Sequence, residues 1–231
     1  MSALTFMLKT APNYALNCAK LTPNLLAGLT LAQIKNMPLG QNKNAPKVSD
    51  FFEVSGDDTE NIIFKNSTAQ LDYIGHKMTR GNITIVGDCG DFLGSQMQNG
   101  NLICHGSTGD RAGDLMRRGL ILIDDDAGDY CASRMMAGTI GVFGTVGRYA
   151  GFTMKRGTLL LTQLPTLHAS IQNCGIHTLP FLSLLFKSFT PFETQFSNIT
   201  TRRAQRFVGD AACNGNGEIL VLLNEYLTVH Y

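Results

Sequence analysis

A chain of 231 residues, 44% of them hydrophobic, is long enough for one core or for one core with appendages. Only 16% of its residues are charged, against roughly 25% in an ordinary soluble domain, so other protein is expected to cover part of its surface. A formal net charge of +1 excludes bulk attraction to nucleic acid or membrane, and no apolar run approaches the roughly twenty residues of a membrane span. Met1 to Lys20 lacks the continuous apolar stretch and cleavage site of a secretory leader, which makes the cytoplasm the expected compartment.

Residues 1–50 read as an N-terminal cap. Leu4, Phe6 and Leu8 alternate as a short strand does. Thr22-Pro23 is an N-cap followed by proline at the first helical position, opening a short helix that runs to Gly28. Thr30 and Gln33 have the spacing of a capping box, and Pro38 ends the helix they start. Residues 41–50 are polar, contain Pro46 and read as an exposed connector. Phe51 to Gly56 begins an irregular rung; Asp57, Asp58 and Glu60 mark a turn, and Asn61 to Lys65 supplies the strand.

From residue 75 to 162 the chain repeats. Met78, Met97, Met116, Met135 and Met154 fall nineteen residues apart, and each is followed three places later by Gly81, Gly100, Gly119, Gly138 and Gly157. A second column reads Gly90, Gly109, Gly128, Gly147. A third reads Gly56, Gly75, Gly94, Gly113, Ala132, Gly151, and a fourth, Gly87, Gly106, Gly144, is broken by Asp125. A fixed period of about twenty residues means one structural unit stacked on its copies. The pairs Ile83/Ile85, Leu102/Cys104, Ile121/Ile123, Ile140/Val142 and Leu159/Leu161 alternate as strands with one buried face. Leu93, Ala112, Cys131 and Ala150 form another inward column. Glycine turns the chain through positive φ at little cost, so the glycine columns are expected at the corners. The expected fold is all-β: a right-handed parallel β-helix of 19-residue rungs over residues 51–162, with small α/β caps at both ends. A leucine-rich repeat needs a helical segment in each unit, which three or four glycines per repeat argue against.

The charges sit at corners. Asp91, Asp110 and Asp129 form an acidic column, replaced by Arg148 in the last full rung, with Asp88 and Asp114 expected in the same loop segment. Arg80, Arg117, Arg118, Lys155 and Arg156 lie in the two columns just before Gly81, Gly119 and Gly157. Both corners are either solvated edges or docking surfaces for oppositely charged partners. Residues 163–231 leave the period and read as a C-terminal cap, with an apolar helix from Pro180 to Phe189, a tight turn at Asn214 to Gly217 and a strand from Glu218 to Leu223.

No catalytic constellation stands out. His-Glu-x-x-His, Gly-x-Ser-x-Gly and Gly-Lys-Ser/Thr motifs are absent, and the six cysteines make no Cys-x-x-Cys pair. Cys104 and Cys131 read as small apolar core fillers. Asp124-Asp125-Asp126 reads as a solvated turn, since Met135 stands where a calcium loop needs its last glutamate. His168 and His177 could meet on one side of the stack; a structural role for the histidines is the simpler reading. Catalytic, cofactor and metal residues are therefore expected to be absent. The enzyme alternative, a β-helix with a groove-borne site, needs charges along a strand face rather than at corners.

The strings Gly109-Asp110-Arg111-Ala112-Gly113-Asp114-Leu115-Met116-Arg117-Arg118-Gly119, Asp126-Ala127-Gly128-Asp129-Tyr130 and Ser133-Arg134-Met135-Met136-Ala137-Gly138-Thr139-Ile140 resemble the C-subunit family of formylmethanofuran dehydrogenase, the bacterial formyltransferase/hydrolase form most of all. Phe51 to Asp58, Phe207-Val208-Gly209-Asp210 and Gly217 to Val221 carry the same likeness, so it covers nearly the whole chain. Asp125 and Ala132 depart from two glycine columns. A fainter likeness is to the glycine-rich spacer of the glutamate synthase large chain. The resemblance implies a β-helical member of a cytoplasmic complex that moves a formyl group from tetrahydromethanopterin to a methanofuran-type carrier and releases formate. It implies partner subunits, a metal-dependent hydrolase and a formyltransferase, that hold the chemistry and the hydrolase metal. It transfers no catalytic residue to this chain.

Overall fold

The computed structural model describes residues 2–40, 42 and 45–223. Within them the chain is mostly β with few helices, and eleven of its strands form one mixed sheet. β1 (Ala3–Leu8) buries Leu4, Phe6 and Leu8 on one face, as their alternation predicts. β2 (Leu16–Asn17) belongs to a separate small ladder. α1 (Pro23–Leu26) starts from Thr22, whose hydroxyl makes no cap bond, so the preset φ of Pro23 is what favours the turn there. α2 (Leu31–Asn36) has the expected capping box: Gln33 N donates to Thr30 Oγ1 at 3.3 Å and Thr30 N to Gln33 Oε1 at 2.8 Å.

The next segment differs from expectation. The connector at 41–50 lies partly outside the described residues (41, 43 and 44), and its end is a helical turn, α3 (Val48–Phe51), with Val48 buried. β3 (Phe52–Ser55) is no rung of the stack. It runs antiparallel to β1 at the end of the sheet, where Phe52 packs edge-on to Phe6 and Phe64 at 5.8 and 6.1 Å. Alternation at Phe52 and Val54 marks a strand but carries no information about direction. β4 (Asp58–Ser67) begins at Asp58, so Asp58 and Glu60 lie within the strand rather than in a turn before it. It pairs in parallel with β1 on one side. β5 (Leu71–Asp72) completes the small ladder with β2.

The regular part consists of β6 (Asn82–Gly87), β7 (Asn101–Cys104), β8 (Leu120–Ile123), β9 (Thr139–Val142) and β10 (Thr158–Leu161), with β6 parallel to β4. Each pairs in parallel with the strand nineteen residues on, in the register Ile83↔Leu102↔Ile121↔Ile140↔Leu159. A second line of parallel bridges, Cys89↔Thr108↔Ala127↔Val146, keeps the same step. All five apolar pairs, the five-methionine column and Leu93, Ala112, Cys131 and Ala150 are buried in one continuous core.

The glycine columns do two different jobs. Gly119 has φ +104°, and a Cβ there would lie 2.6 Å from Gly100 O, so both the turn and the approach of the previous rung require glycine. Gly109 is not in a positive-φ conformation; a Cβ there would lie 2.1 Å from Asp91 Oδ1. Its column makes room for a side chain of the rung before. Positive φ is instead adopted by non-glycine columns: Tyr73, Phe92, Arg111, Tyr130 and Tyr149 at 59–62°, and Lys77, Gln96, Leu115, Arg134 and Thr153 at 53–57°. Ala132, which interrupts a glycine column, keeps the left-handed turn at φ 59°. Each such residue costs about 1–2 kcal/mol. The ladder offsets it by holding the amide: Tyr73 N donates to Asp91 O and Lys77 N to Ser95 O, both at 2.9 Å.

After β10 the chain leaves the stack. β11 (Gln172–Thr178), α4 (Phe181–Phe189) and β12 (Arg203–Gly209) form an excursion before β13 (Gly217–Leu222) resumes the parallel stack on β10, with Thr158 opposite Glu218. β12 lies antiparallel to β13, and β11 antiparallel to β12 at the sheet's other end; neither strand is foreseen by the period. α4 begins after Pro180 as expected and buries Leu182, Phe186 and Phe189 against Ile103, Leu122, Leu160 and Leu220. The stacked strands therefore have a second buried face that alternation did not predict. Gly141 falls in that outer column, where a Cβ would stand 3.0 Å from the Phe196 ring.

Candidate docking surfaces

Most side chains of the expected acidic corner are used inside the stack. Asp72 Oδ1 accepts from Asp91 N at 2.9 Å, Asp91 Oδ1 from Asp110 N at 2.8 Å, Asp110 Oδ1 from Asp129 N at 2.8 Å and Asp129 Oδ1 from Arg148 N at 2.7 Å. Each carboxylate thus ties its rung to the next, although Asp110 stays exposed. Burial pushes the Asp72 carboxyl above the usual range, opposed by the Asp91 amide.

Asp88 and Asp114 lie in the same inter-strand segment but in other columns, with other partners. Asp88 Oδ1 accepts from Ser107 N at 2.9 Å, and the same line continues where Asp126 Oδ1 accepts from Thr145 N at 2.6 Å. The amide and hydroxyl of Thr145 hold the Asp126 carboxyl below the usual range. Asp114 is 3% exposed, accepts from Ser133 Oγ at 2.6 Å and receives both Nε and Nη2 of Arg134. Its column is that of His76 and Ser95, whose side chains also meet, at 2.7 Å. Nearness in sequence does not fix direction, because each position in the repeat points its own way.

Asp124 is likewise not a solvated turn residue. It is buried; its Oδ2 lies 2.7 Å from His105 Nδ1, and Gln195 N donates to its Oδ1 at 2.8 Å. Gln195 Nε2 adds a bond to the Asp124 carbonyl at 2.9 Å, so this residue fastens the excursion to the stack just after β8. A groove of about 920 Å³ runs past it, lined by Asp124, Asp125, Asp126, Phe143, Thr162 and Gln195 among others. Among the described residues no three His, Cys, Asp or Glu side chains converge as metal ligands do, and no serine, threonine or cysteine is bonded to the His105 ring.

His168 and His177 engage separate partners: His168 Nδ1 lies 2.6 Å from Ser170 Oγ, and His177 Nε2 lies 2.9 Å from Cys174 O. His230 lies outside the described residues. Cys104 and Cys131 are buried fillers, as are Cys18 and Cys89. Cys89 Sγ lies 3.7 Å from Cys104 Sγ, and that contact together with burial raises the Cys89 thiol; burial alone pushes Cys131 up to about 12.

The basic corner does face outward. Arg117, Arg118 and Arg156 are not buried and form no ion pair among the described residues. Arg80 pairs with Glu60 at 3.0 Å, and Lys155 Nζ donates to Cys213 O at 2.7 Å. Arg80, Arg118 and Arg156 occupy one column two rungs apart, about 10 Å at the ordinary strand spacing. Apolar surface is also bare: Phe181 and Leu184 on α4 are 44% and 73% exposed, and every residue of β11 is exposed.

A further surface escaped the sequence reading. The left-handed column Tyr73, Phe92, Arg111, Tyr130, Tyr149 stacks its planar groups along the outside. Tyr73 and Phe92 are 4.6 Å apart and parallel to 2°, the Arg111 guanidinium lies 4.6 Å over Tyr130, and Tyr130 and Tyr149 are 4.9 Å apart at 17°. Its signal was present as a nineteen-residue column of planar side chains.

No family model matches the chain. Among curated proteins it is similar to the C subunit of the formyltransferase/hydrolase complex Fhc of Methylorubrum extorquens, 30% identical over 70 residues, which are 30% of this chain and 26% of that protein. It is also similar to the C subunit of the tungsten-containing formylmethanofuran dehydrogenase 2 of Methanothermobacter wolfeii, 31% identical over 93 residues (38% of this chain, 34% of that one). With the corresponding protein of Methanocaldococcus jannaschii it shares 46% identity over 55 residues, 22% of this chain and 20% of that protein. The matches thus span a fifth to a third of these relatives' length. Among solved structures, a chain of the formyltransferase/hydrolase complex FhcABCD from Methylorubrum extorquens, in complex with methylofuran, superposes with a TM-score of 0.65 and 28% identity, covering 95% of this chain and 100% of that one.

Proposed function

We propose that this chain, which belongs to the formylmethanofuran dehydrogenase C-subunit family, is a non-catalytic scaffold within a formyltransferase/hydrolase complex. In that reading the complex moves a formyl group from tetrahydromethanopterin to a methanofuran-type carrier and releases formate in the cytoplasm. The hydrolase and formyltransferase partners supply the chemistry and the hydrolase metal, and this chain holds no cofactor of its own. The stacked part is read as a right-handed parallel β-helix of 19-residue rungs, with residues 1–50 and 163–231 as its caps. The unbroken nineteen-residue register from β6 to β10 supports the rung reading. Among the described residues no helix is long and apolar enough to cross a membrane.

The observation that carries the scaffold reading is where the polar side chains go. Asp72, Asp91, Asp110, Asp129, Asp114 and Asp124 each hold another part of this chain in place. A group bound in that way is spent on rigidity rather than left for proton transfer to a substrate. Arg117, Arg118 and Arg156 remain outward at fixed rung spacing, and a rigid stack presenting charges at fixed intervals suits docking. The test is capture of the tagged full-length chain from its native cells, with partners identified by mass. Recovery of a hydrolase and a formyltransferase is expected; recovery of the chain alone would contradict the reading.

A further inference from the structure

The outer line of planar side chains stops one step early. Tyr73, Phe92, Arg111 and Tyr130 each donate their amide to the carbonyl eighteen residues ahead, at 2.8–2.9 Å. His168 stands nineteen residues after Tyr149, where the next member belongs by sequence. It does not stack there: its ring turns edge-on to Phe152, 5.9 Å away at 82°. Tyr149 packs edge-on to the same Phe152 at 6.0 Å and is left 41% exposed. Between them opens a cavity of about 430 Å³, lined by Arg148, Tyr149, Thr166, Leu167, His168 and Ala169. That volume lies within the usual range for small-molecule sites, roughly 300–1,000 Å³.

The charge of the opening is set by one substitution in the repeat. Arg148 stands where the earlier rungs carry Asp91, Asp110 and Asp129, so the column turns from acid to base at this level. Among the described residues the Arg148 guanidinium has no ion-pair partner. Asp129 Oδ1 is engaged by the Arg148 amide, and the oxygens of buried Asp210 by the amides of Thr153 and Ala212. Among the described residues no carboxylate lines the cavity.

We propose that this opening binds a planar aromatic carboxylate: the ring stacks on Tyr149 as the next member of the line, and the carboxylate pairs with Arg148. The line already shows that such a slot accepts ring on ring and guanidinium on ring at 4.6–4.9 Å. This site does not depend on the scaffold reading.

The test uses the purified full-length chain, with 2-naphthoate as the probe and neutral 2-naphthamide beside it, followed by saturation-transfer NMR. Saturable binding of naphthoate, tighter than that of the amide, is expected. Tyr149→Asn keeps a residue that tolerates the left-handed conformation and should weaken both probes roughly tenfold or more. Arg148→Gln should weaken naphthoate to the level of the amide and leave the amide unchanged. Tyr73→Asn, at the far end of the line, should change neither and reports on folding. The proposal is overturned if the wild-type chain shows no saturable binding, if Arg148→Gln does not erase the preference for the acid, or if folded Tyr149→Asn binds as well as wild type.

Discussion

The division of labour between the two glycine columns can be tested by a mutant cycle at Gly109 and Asp91. Gly109 has no positive φ, so alanine is conformationally allowed and would by itself gain roughly 0.4–1 kcal/mol from the unfolded state. Its Cβ, however, would stand 2.1 Å from Asp91 Oδ1 and 3.0 Å from Asp91 N and Gly90 C. The carboxylate must swing away, losing its 2.8 Å bond from Asp110 N. That bond is exposed, so its loss costs about 1 kcal/mol rather than the larger value of a buried charged pair. Residual backbone crowding adds about 1–2 kcal/mol. Gly109→Ala is expected to destabilise by about 2 kcal/mol, lowering the melting temperature by roughly 4–8 °C. Asp91→Ala should cost about 1 kcal/mol. Because the carboxylate is the object the new methyl strikes, the double variant should cost about 2 kcal/mol rather than the sum of about 3. Urea unfolding followed by circular dichroism measures all three. Additivity within about 0.5 kcal/mol, or a Gly109→Ala variant as stable as wild type, would refute the account of this column.

Three further outcomes are expected. Burial pulls the Asp210 carboxyl upward, but the Ser170 hydroxyl, the Ala212 and Thr153 amides and nearby His168 outweigh it and hold it below the usual range. Its stabilising contribution is therefore complete above about pH 4 and lost as pH falls through the lower folded value. Asp210→Asn should cost about 1–2 kcal/mol at pH 7 and flatten the acid limb of stability against pH, and an unchanged acid limb would count against it. Replacing Arg117 and Arg118 by Glu should leave the melting temperature nearly unchanged, within about 0.5 kcal/mol, yet reduce co-purification of partners; undiminished co-purification removes the docking role of this corner. Native chain treated with a bulky thiol reagent should react fast at Cys174, more slowly at half-buried Cys213, and at Cys18, Cys89, Cys104 and Cys131 only after unfolding. Thiol counting with and without denaturant checks this.

What could be read from sequence followed from the period itself. A nineteen-residue step puts Ile83, Leu102, Ile121, Ile140 and Leu159 in one column whatever the details of the turns, and all are buried. The Thr30–Gln33 capping box and the helix after Pro180 were legible because their signals are local. Side-chain direction was not. Asp91, Asp110 and Asp129 could be placed in one column, but whether a carboxylate faces water or the next amide depends on backbone geometry that spacing does not carry. The left-handed turns at Tyr130 and Tyr149 were invisible for the same reason, since the ladder holds non-glycine residues in a conformation their own preferences disfavour. β11 and β12 lie in an excursion without repeat, and their pairing is set by β13, which comes later in the chain. Burial of Ile103, Leu122 and Leu160 depends on α4 and Phe196 folding back over them, a long-range event that alternation along one strand does not encode.

The scaffold role is tested most directly by reconstitution. The proposed hydrolase and formyltransferase partners are expressed with and without this chain, and assembly by light scattering is measured together with formate release. With the chain present, one complex releasing formate is expected; without it, the partners should separate, and the chain alone should release none. Formate release by this chain alone, or an intact and fully active complex lacking it, would contradict the account.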